Sequence, residues 1–449
     1  MLWHAEDILQ LVGFKAERLP NLAETYVHDV QIDSRKVKPG DLFIPLTPPI
    51  AARDGHDYII EALNRGAVAA LSSKPSDLDR VIRVSDTFDA LVTLGRAARQ
   101  RLDPAARVIA ITGSSGKTTL RAWIEHILSA FNDTHASEGS FNNHLGVPLS
   151  LARMPASTRY GIFEVGTNHP GEIGPLSDQI KPDIAVVLNV LPVHIGHFNG
   201  LDALRSEKLA ITAGLKSDGT LVLEQALNEH VSGRTRTFSA ETSANVSVSP
   251  TNLGPGLLNA VIDGHAFPLE LPALGEHLQA TAAACLAVVD QLGLDIPQAI
   301  RCLRSAPIPK GRGNRANIHG ITLIDESYNA NPESMRLALK SLRQEPEGRV
   351  HLVLGEMHEL GDLSPTAHRD VLNWSNGFYN CLTVGPEFSA PSQERGIRNY
   401  ADSNDIDLKL FVSQLNQGDQ ILVKGSNNVF WAKQFVPRLE AALQQRNTS

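Results

Sequence analysis

The sequence predicts an α/β protein of three units, the middle one a parallel, doubly wound sheet. Three observations carry this. Short apolar runs alternate with segments of helical period from residue 106 onward, which is the pattern of repeated strand–helix–strand units. The run Ile109–Thr112 leads into a glycine-bearing turn and then an amphipathic helix. Asp103-Pro104 and Pro307–Gly313 break the alternation, because proline disfavours helix in the residue before it and Pro/Gly clusters mark connections. The expected units are 1–105, 106–308 and 309–449.

In the first unit, strands are expected at 41–46, 67–72 and 81–84, and helices at 5–12, 57–65 and 86–101. In the second, apolar strands fit at 107–112, 159–164, 184–189 and 219–223. Helical spacing fits at 117–131, 143–153, 170–179, 201–213 and 275–293. The stretch 233–273 is rich in Ser, Thr and Gly and predicts antiparallel strands added at an edge. In the third unit, strands fit at 320–325, 350–354, 380–384 and 420–424, and helices at 332–343, 365–376 and 430–444. In such sheets ligands gather at the carboxyl ends of the strands.

Composition narrows the class. A chain of 449 residues with 42% apolar and 20% charged residues is that of an ordinary globular protein. The net charge of −8 argues against nucleic acid or an anionic membrane as the main partner. No apolar stretch is long enough to span a bilayer, and the N-terminus lacks a basic region followed by an apolar core. Three cysteines without metal-ligand spacing fit a reducing compartment. The expectation is a cytoplasmic, monomeric protein acting on small molecules.

Thr112-Gly113-Ser114-Ser115-Gly116-Lys117-Thr118-Thr119 is the sharpest motif. A strand, a tight turn and a helix N-terminus form an anion cradle, since free N–H groups and the helix dipole both favour negative charge. Lys117 can reach the β- and γ-phosphates, and the Thr118 hydroxyl can ligate Mg²⁺. The first glycine lies only three residues before Gly116, so the loop is tighter than the general phosphate-loop pattern.

Other candidates sit at strand ends. Glu164 closes the strand 159–164 as a possible Mg²⁺ ligand or a solvated strand end. His194 follows the next strand and is a metal or substrate ligand, or merely structural. Ser206-Glu207-Lys208 reads locally as an ordinary helix surface. Asn142, Asn143 and His144 cluster in a loop, where one asparagine is expected to cap a helix. Asp325-Glu-Ser-Tyr328-Asn329-Ala-Asn331-Pro332 crowds polar side chains after a strand, with Asn331 also placed to precede a helix. Lys424-Gly-Ser426 ends another strand.

Together these motifs resemble the Mur ligases, the ATP-dependent amide-forming enzymes of peptidoglycan synthesis. The resemblance spans nearly the whole chain. Asp33-Ser34-Arg35, Pro39–Phe43 and Asp54-Gly55-His56 resemble its N-terminal landmarks, and Thr112–Thr119 is similar to its own tight phosphate loop. Within the family, Ser327–Pro332 resembles the branch that adds D-alanyl-D-alanine to UDP-N-acetylmuramoyl-tripeptide. The resemblance implies a central phosphate-loop ATPase domain flanked by a UDP-sugar-binding domain and a Rossmann-like domain for the incoming amine. It implies that ATP is bound by Gly113, Ser114, Ser115, Gly116, Lys117, Thr118, Thr119, Asp325 and an arginine, Arg312 or alternatively Arg315. It implies two Mg²⁺ sites served by Thr118, Glu164 and His194. Lys117, Glu164, His194 and a carbamylated Lys208 would be catalytic. Ser34 and Arg35 would meet the UDP moiety. Asn142, Asn143 and His144 would line the substrate site, and Tyr328, Asn329, Asn331 and Lys424 would face the dipeptide. Departures at 48–50, Leu278 and Asn427 leave open a paralogue that joins a different acid and amine.

Overall fold

The computed structural model describes residues 2–14, 22, 24–192, 195–241, 243–251, 257–273, 275–343 and 348–446. Four sheets follow one another along the chain. Strands β1 (Trp3–His4) and β2 (Tyr26–Val27) pair antiparallel. A parallel sheet follows, with β3 (Val30–Gln31), β4 (Leu42–Phe43), β5 (Ala69–Ser72) and β6 (Val81–Arg83) side by side.

The nine-stranded sheet contains β7 (Arg107–Thr112), β8 (Thr134–Ala136), β9 (Tyr160–Glu164), β10 (Ile184–Val187), β11 (Thr220–Glu224), β12 (Thr235–Ser239), β13 (Val246–Pro250), β14 (Leu258–Ile262) and β15 (His265–Leu269). Its spatial order is β15-β14-β13-β12-β11-β10-β7-β9-β8. The strands from β8 through β13 are parallel neighbours, whereas β13, β14 and β15 form an antiparallel meander. The edge addition expected for 233–273 is therefore present. Its first two strands instead continue the parallel sheet, because β12 pairs with β11 and β13 with β12.

The third sheet holds β16 (Asn314–Ile318), β17 (Ile321–Glu326), β18 (Val350–Gly355), β19 (Asn380–Val384), β20 (Arg398–Tyr400) and β21 (Gln420–Lys424), in the order β16-β17-β21-β18-β19-β20. Strand β16 is an antiparallel edge. Its polar residues, half-buried or exposed, hide it from a search for apolar runs. The helix expected over 430–444 begins only at Phe435, after Gln434 in a left-handed conformation; the Phe430 and Phe435 rings pack 5.0 Å apart across that turn.

The central sheet is buried on both faces. Val108, Ala110 and Phe163 face one core, and Ile109, Ile111 and Ile162 the other, as alternation along a strand requires. The first face is covered by helices Thr87–Gln100, Gly146–Ala152 and Ile173–Ile180. Gly95 permits the first two to approach, since a Cβ there would lie 3.0 Å from the Pro148 carbonyl. Arg99 donates to the Ile180 and Lys181 carbonyls and to Asp183 at 3.0, 2.9 and 3.0 Å, which satisfies the C-terminal end of helix Ile173–Ile180. The second face is covered by helices Lys117–Ser129 and Glu276–Gln291.

Register places the site. Ile111 of β7 is level with Glu164 of β9 and with Val186 of β10. The chain continues from β7 to β8 and β9 on one side and to β10 on the other, which makes this the switch point where α/β sheets bind ligands. Among the described residues no helix is long and apolar enough to cross a membrane.

Gly214 ends the 3-10 turn Ala210–Gly214 that follows helix Leu201–Leu209. A Cβ there would lie 1.9 Å from the Ser177 carbonyl oxygen. Gly214→Ala is expected to lower stability by about 3 kcal/mol through overpacking, read as a fall in the thermal midpoint.

Candidate functional site

The phosphate loop is held open by its backbone. Gly113 and Gly116 have φ of +153° and +82°, and a Cβ on Gly116 would lie 2.7 Å from Leu188. A side chain is thus excluded at Gly116 by conformation and by space. The loop rests on Asn189, just beyond β10. The Asn189 Oδ1 accepts from the Ser114 and Ser115 N–H groups, each at 3.0 Å, and its Nδ2 donates to the Ser115 carbonyl at 3.1 Å. The Ser114 hydroxyl donates to the Leu191 carbonyl at 3.0 Å. Asn189 is a structural residue of the site that the expected set, with His194 five residues on, does not include. Its signal was only a position at a strand end. Thr119 is buried in the first helical turn.

Lys117 folds back to donate to the Gly113 carbonyl at 2.7 Å. Burial lowers its pKa, Glu164 pulls it back up, and the Arg312 charge lowers it further. Glu164 is 1% exposed. It accepts from the Thr118 hydroxyl at 3.0 Å and from the Asn142 amide at 2.8 Å. Gly166 leaves room for that amide, because a Cβ would fall 2.9 Å from the Asn142 Cγ. The neighbouring Asn143 instead accepts from the N–H groups of Leu145 and Gly146, so one asparagine caps and the other meets the carboxylate. His144 is exposed, edge-on to Phe88 at 6.4 Å.

Lys208 is 2% exposed, not the surface lysine that its local sequence suggested. Among the described residues its Nζ has no hydrogen-bond or ion-pair partner. Burial, with the Lys117 charge adding to it, brings its pKa down to about 7 against the opposing pull of Glu207 and Glu172. Glu207 is likewise no solvated neighbour. Its carboxylate accepts from the N–H groups of Gly171, Glu172 and Ile173 at 2.7, 3.0 and 2.8 Å, stabilising the start of helix Ile173–Ile180. His194 lies outside the described residues.

The third unit supplies Arg312. Its guanidinium stacks over Tyr328 at 4.2 Å. Burial lowers its pKa, while Glu164 and Tyr328 raise it. Arg312 interacts electrostatically with Lys117 and Glu164, whereas Arg315, exposed and lining the same cleft, interacts with Glu326. Asp325 grips the connection carrying that arginine: its Oδ2 accepts from the Gly311 N–H at 3.1 Å and its Oδ1 from the Ser327 N–H at 3.0 Å. The Tyr328 hydroxyl donates to Ser140 of the central unit at 2.8 Å.

Other expected dipeptide ligands have local tasks. Asn331 accepts from the Ser334 N–H at 2.8 Å and caps helix Pro332–Arg343, while Asn329 accepts from the Ala330 N–H at 3.0 Å. Lys424 is paired with Glu326 at 2.5 Å, the two side chains being 4% and 18% exposed. Burial acts to raise the Glu326 carboxyl, but Lys424, with His277 and Arg315, holds it below the usual carboxylate range. Asn427 donates to the Tyr328 carbonyl at 3.4 Å. In the N-terminal unit, the Ser34 hydroxyl donates to Glu61 at 3.1 Å, and exposed Arg35 pairs with Asp33 at 2.8 Å. A narrow cleft lies between the central and third units, lined by His277, Leu278, Ile308, Arg312, Ile324 and Leu422 among others.

Residues 26–111 match the Mur ligase family catalytic domain, 111–289 the Mur ligase middle domain, and 311–427 the Mur ligase, glutamate ligase domain. The chain is 33% identical over 387 residues to the UDP-N-acetylmuramoyl-tripeptide–D-alanyl-D-alanine ligase of Rickettsia prowazekii, covering 83% of this chain and 84% of that protein. The crystal structure of MurF from Acinetobacter baumannii superposes with a TM-score of 0.84 at 27% identity, covering 98% of this chain and 99% of that one. MurF from Thermotoga maritima in complex with ADP gives 0.80 at 26% identity, covering 93% and 98%. The chain belongs to the Mur ligase family and is an ATP-dependent ligase.

Two outcomes are expected. Asn189→Ala removes three hydrogen bonds from the loop and should weaken ADP binding about tenfold, measured by calorimetry. Lys424→Met strands the Glu326 carboxylate and should cost about 3 kcal/mol of stability, whereas Lys424→Met with Glu326→Gln should recover most of it; denaturant unfolding of both variants distinguishes them.

Proposed function

From membership of that family and from this site, we propose that the chain joins D-alanyl-D-alanine to UDP-N-acetylmuramoyl-tripeptide in peptidoglycan precursor synthesis, releasing ADP and phosphate. One observation carries the reading. Phosphate loop, buried Glu164, desolvated Lys208 and Arg312 of the third unit converge at the carboxyl ends of β7, β9 and β10. The relative of R. prowazekii, matched over most of both chains, bears the name of this acid–amine pair, which favours it over a different one.

The chemistry needs a good leaving group on a carboxylate. A carboxylate oxygen of the peptide attacks the γ-phosphorus, and the bond to ADP breaks, giving an acyl phosphate. The dipeptide amine then attacks the acyl carbon, phosphate departs and the amine loses its proton. Lys117 and Arg312 offset the charge that builds on the transferring group. Gly113–Thr119 cradle the phosphates, Asn189 keeps the loop's donors aimed, and Asp325 sets Arg312 by holding Gly311. The base would lie in the cleft beside Leu278 and His277. Ser34 and Arg35 would serve the UDP moiety, and Tyr328, with the loop through Asn331 and Lys424, the dipeptide side. His144 and Asn143 border the acyl substrate's path. The units divide the work as 1–105 for the UDP-sugar, 106–308 for ATP and 309–449 for the amine.

Thr118 and Glu164 fit Mg²⁺. They offer hard oxygen donors, the Thr118 hydroxyl lying 3.0 Å from the Glu164 carboxylate. That suits an ion that keeps water and takes phosphate oxygens as ligands. Mg²⁺ supplies neutralisation of phosphate charge when bound, and His194 would complete its surroundings. Lys208 suits carbamylation, since only the neutral amine adds CO₂. With a pKa of about 7, its neutral fraction at pH 7 is roughly a thousandfold that of a solvated lysine. The three free cysteines accord with a reducing, cytoplasmic setting.

Purified protein given both substrates, ATP and Mg²⁺ should release phosphate only when acid and amine are both present, and Lys117→Ala should lose at least about a thousandfold in kcat/KM. Phosphate release without amide product would sink the assignment. The unmodified Lys208 amine binds fewer protons folded than unfolded between pH 7 and 10.5, so stability of the uncarbamylated protein should rise with pH across that window. Lys208→Met should flatten the rise in thermal midpoint.

A further inference from the structure

Arg121 is a buried guanidinium that the site so far leaves without a task. It lies one helical turn beyond Lys117 on helix Lys117–Ser129, and residues four apart share a helix face. Its side chain is 11% exposed. Its Nη1 donates to Glu125 at 2.7 Å, yet its Nε has no hydrogen-bond partner among the described residues. A guanidinium presents five N–H donors, and burying one of them unpaired is costly. The neighbouring charge makes matters worse. Arg121 stands near enough to Arg312 to disfavour its charged form, and Arg312 in turn disfavours that of Lys117. Glu125 is 41% exposed and sits on the solvent side, so it relieves little of this. Glu164 offsets the charges of Lys117 and Arg312, which leaves Arg121 as the cation of this wall with an unpaired donor and no buried counter-charge. Arg312 also lines the cleft beside Leu278 and interacts with the Lys117 charge, so it stands between that cleft and the phosphate loop.

We propose that Arg121 binds the phosphate chain of the nucleotide, acting with Arg312 where that chain runs from the cleft to the loop. The inference rests on the nucleotide reading of the site. A planar fork suits phosphate oxygens better than a point charge does.

The test is ADP binding to the full chain by calorimetry, with folding checked by thermal denaturation. Arg121→Gln should weaken ADP about 10- to 100-fold, Arg121→Lys should weaken it less, and Glu125→Gln should leave it unweakened. A change of less than threefold in Arg121→Gln overturns the proposal. So does Glu125→Gln weakening ADP as much as Arg121→Gln, since the ion pair alone would then explain the effect. Should Arg121→Gln fail to fold, Arg121→Lys decides against Glu125→Gln: weakening only in the former supports the proposal, and equal affinity overturns it. Failure of the unaltered protein to bind ADP would defeat the nucleotide reading itself, a distinct result.

Discussion

One buried carboxylate organises this molecule's site. Glu164 lies at the end of a fully buried strand, 1% exposed, and faces Lys117 and Arg312. Taking a carboxylate out of water is tolerable only where hydrogen bonds and opposite charge replace the solvent. Thr118 and Asn142 supply those bonds from two different segments, and Lys117 and Arg312 supply the charge from two different sheets' units. Each of these contacts constrains where its segment can go. The helix after the phosphate loop, the Asn142 loop and the connection into the third sheet are thereby tied to the end of β9.

Lys208 shows the opposite economy. Bringing its pKa from 10.5 to about 7 means that its surroundings, burial above all, disfavour the ammonium by about 5 kcal/mol net relative to water. Nothing in its own helix announces this. The helix Leu201–Leu209 mixes apolar and charged residues, and its lysine becomes buried because the helix is docked through Glu207 onto the start of helix Ile173–Ile180. Burial here is a tertiary fact, which is why a reading of residues in sequence left Lys208 and Glu207 indistinguishable from surface charges. Only the resemblance to a family singled Lys208 out.

What was legible followed from local rules. The strand Arg107–Thr112, the turn and the helix Lys117–Ser129 could be read because period and glycine placement leave little choice. The split between Asn142 and Asn143 followed from the need of a helix start for one side-chain acceptor. Illegible were features whose cause lies across the chain. Asn189 matters because β10 adjoins β7, so its amide meets Ser114 and Ser115. Strand β16 exists because β17 offers it an edge, not because Asn314–Ile318 looks like a strand. Asp325 was expected at the nucleotide, and both its oxygens are engaged by backbone N–H groups of the third unit. Its influence on the site passes through Gly311 to Arg312.

That last relation changes what the third unit contributes. A guanidinium on a flexible connection would lose side-chain and backbone freedom each time it met the phosphates. Here Asp325 fixes the connection at Gly311, and the Tyr328 ring supports the guanidinium from below at 4.2 Å. The Tyr328 hydroxyl, bound to Ser140, then ties this assembly to the central unit next to the loop that carries Asn142. Asn142 holds Glu164. The position of the third unit and the setting of the buried carboxylate are therefore joined through a short run of contacts, Arg312–Tyr328–Ser140 on one side and Asn142–Glu164–Thr118 on the other. A site assembled this way presents its full set of charges only when the units meet, so the charge needed for phosphoryl transfer and the exclusion of water arrive together.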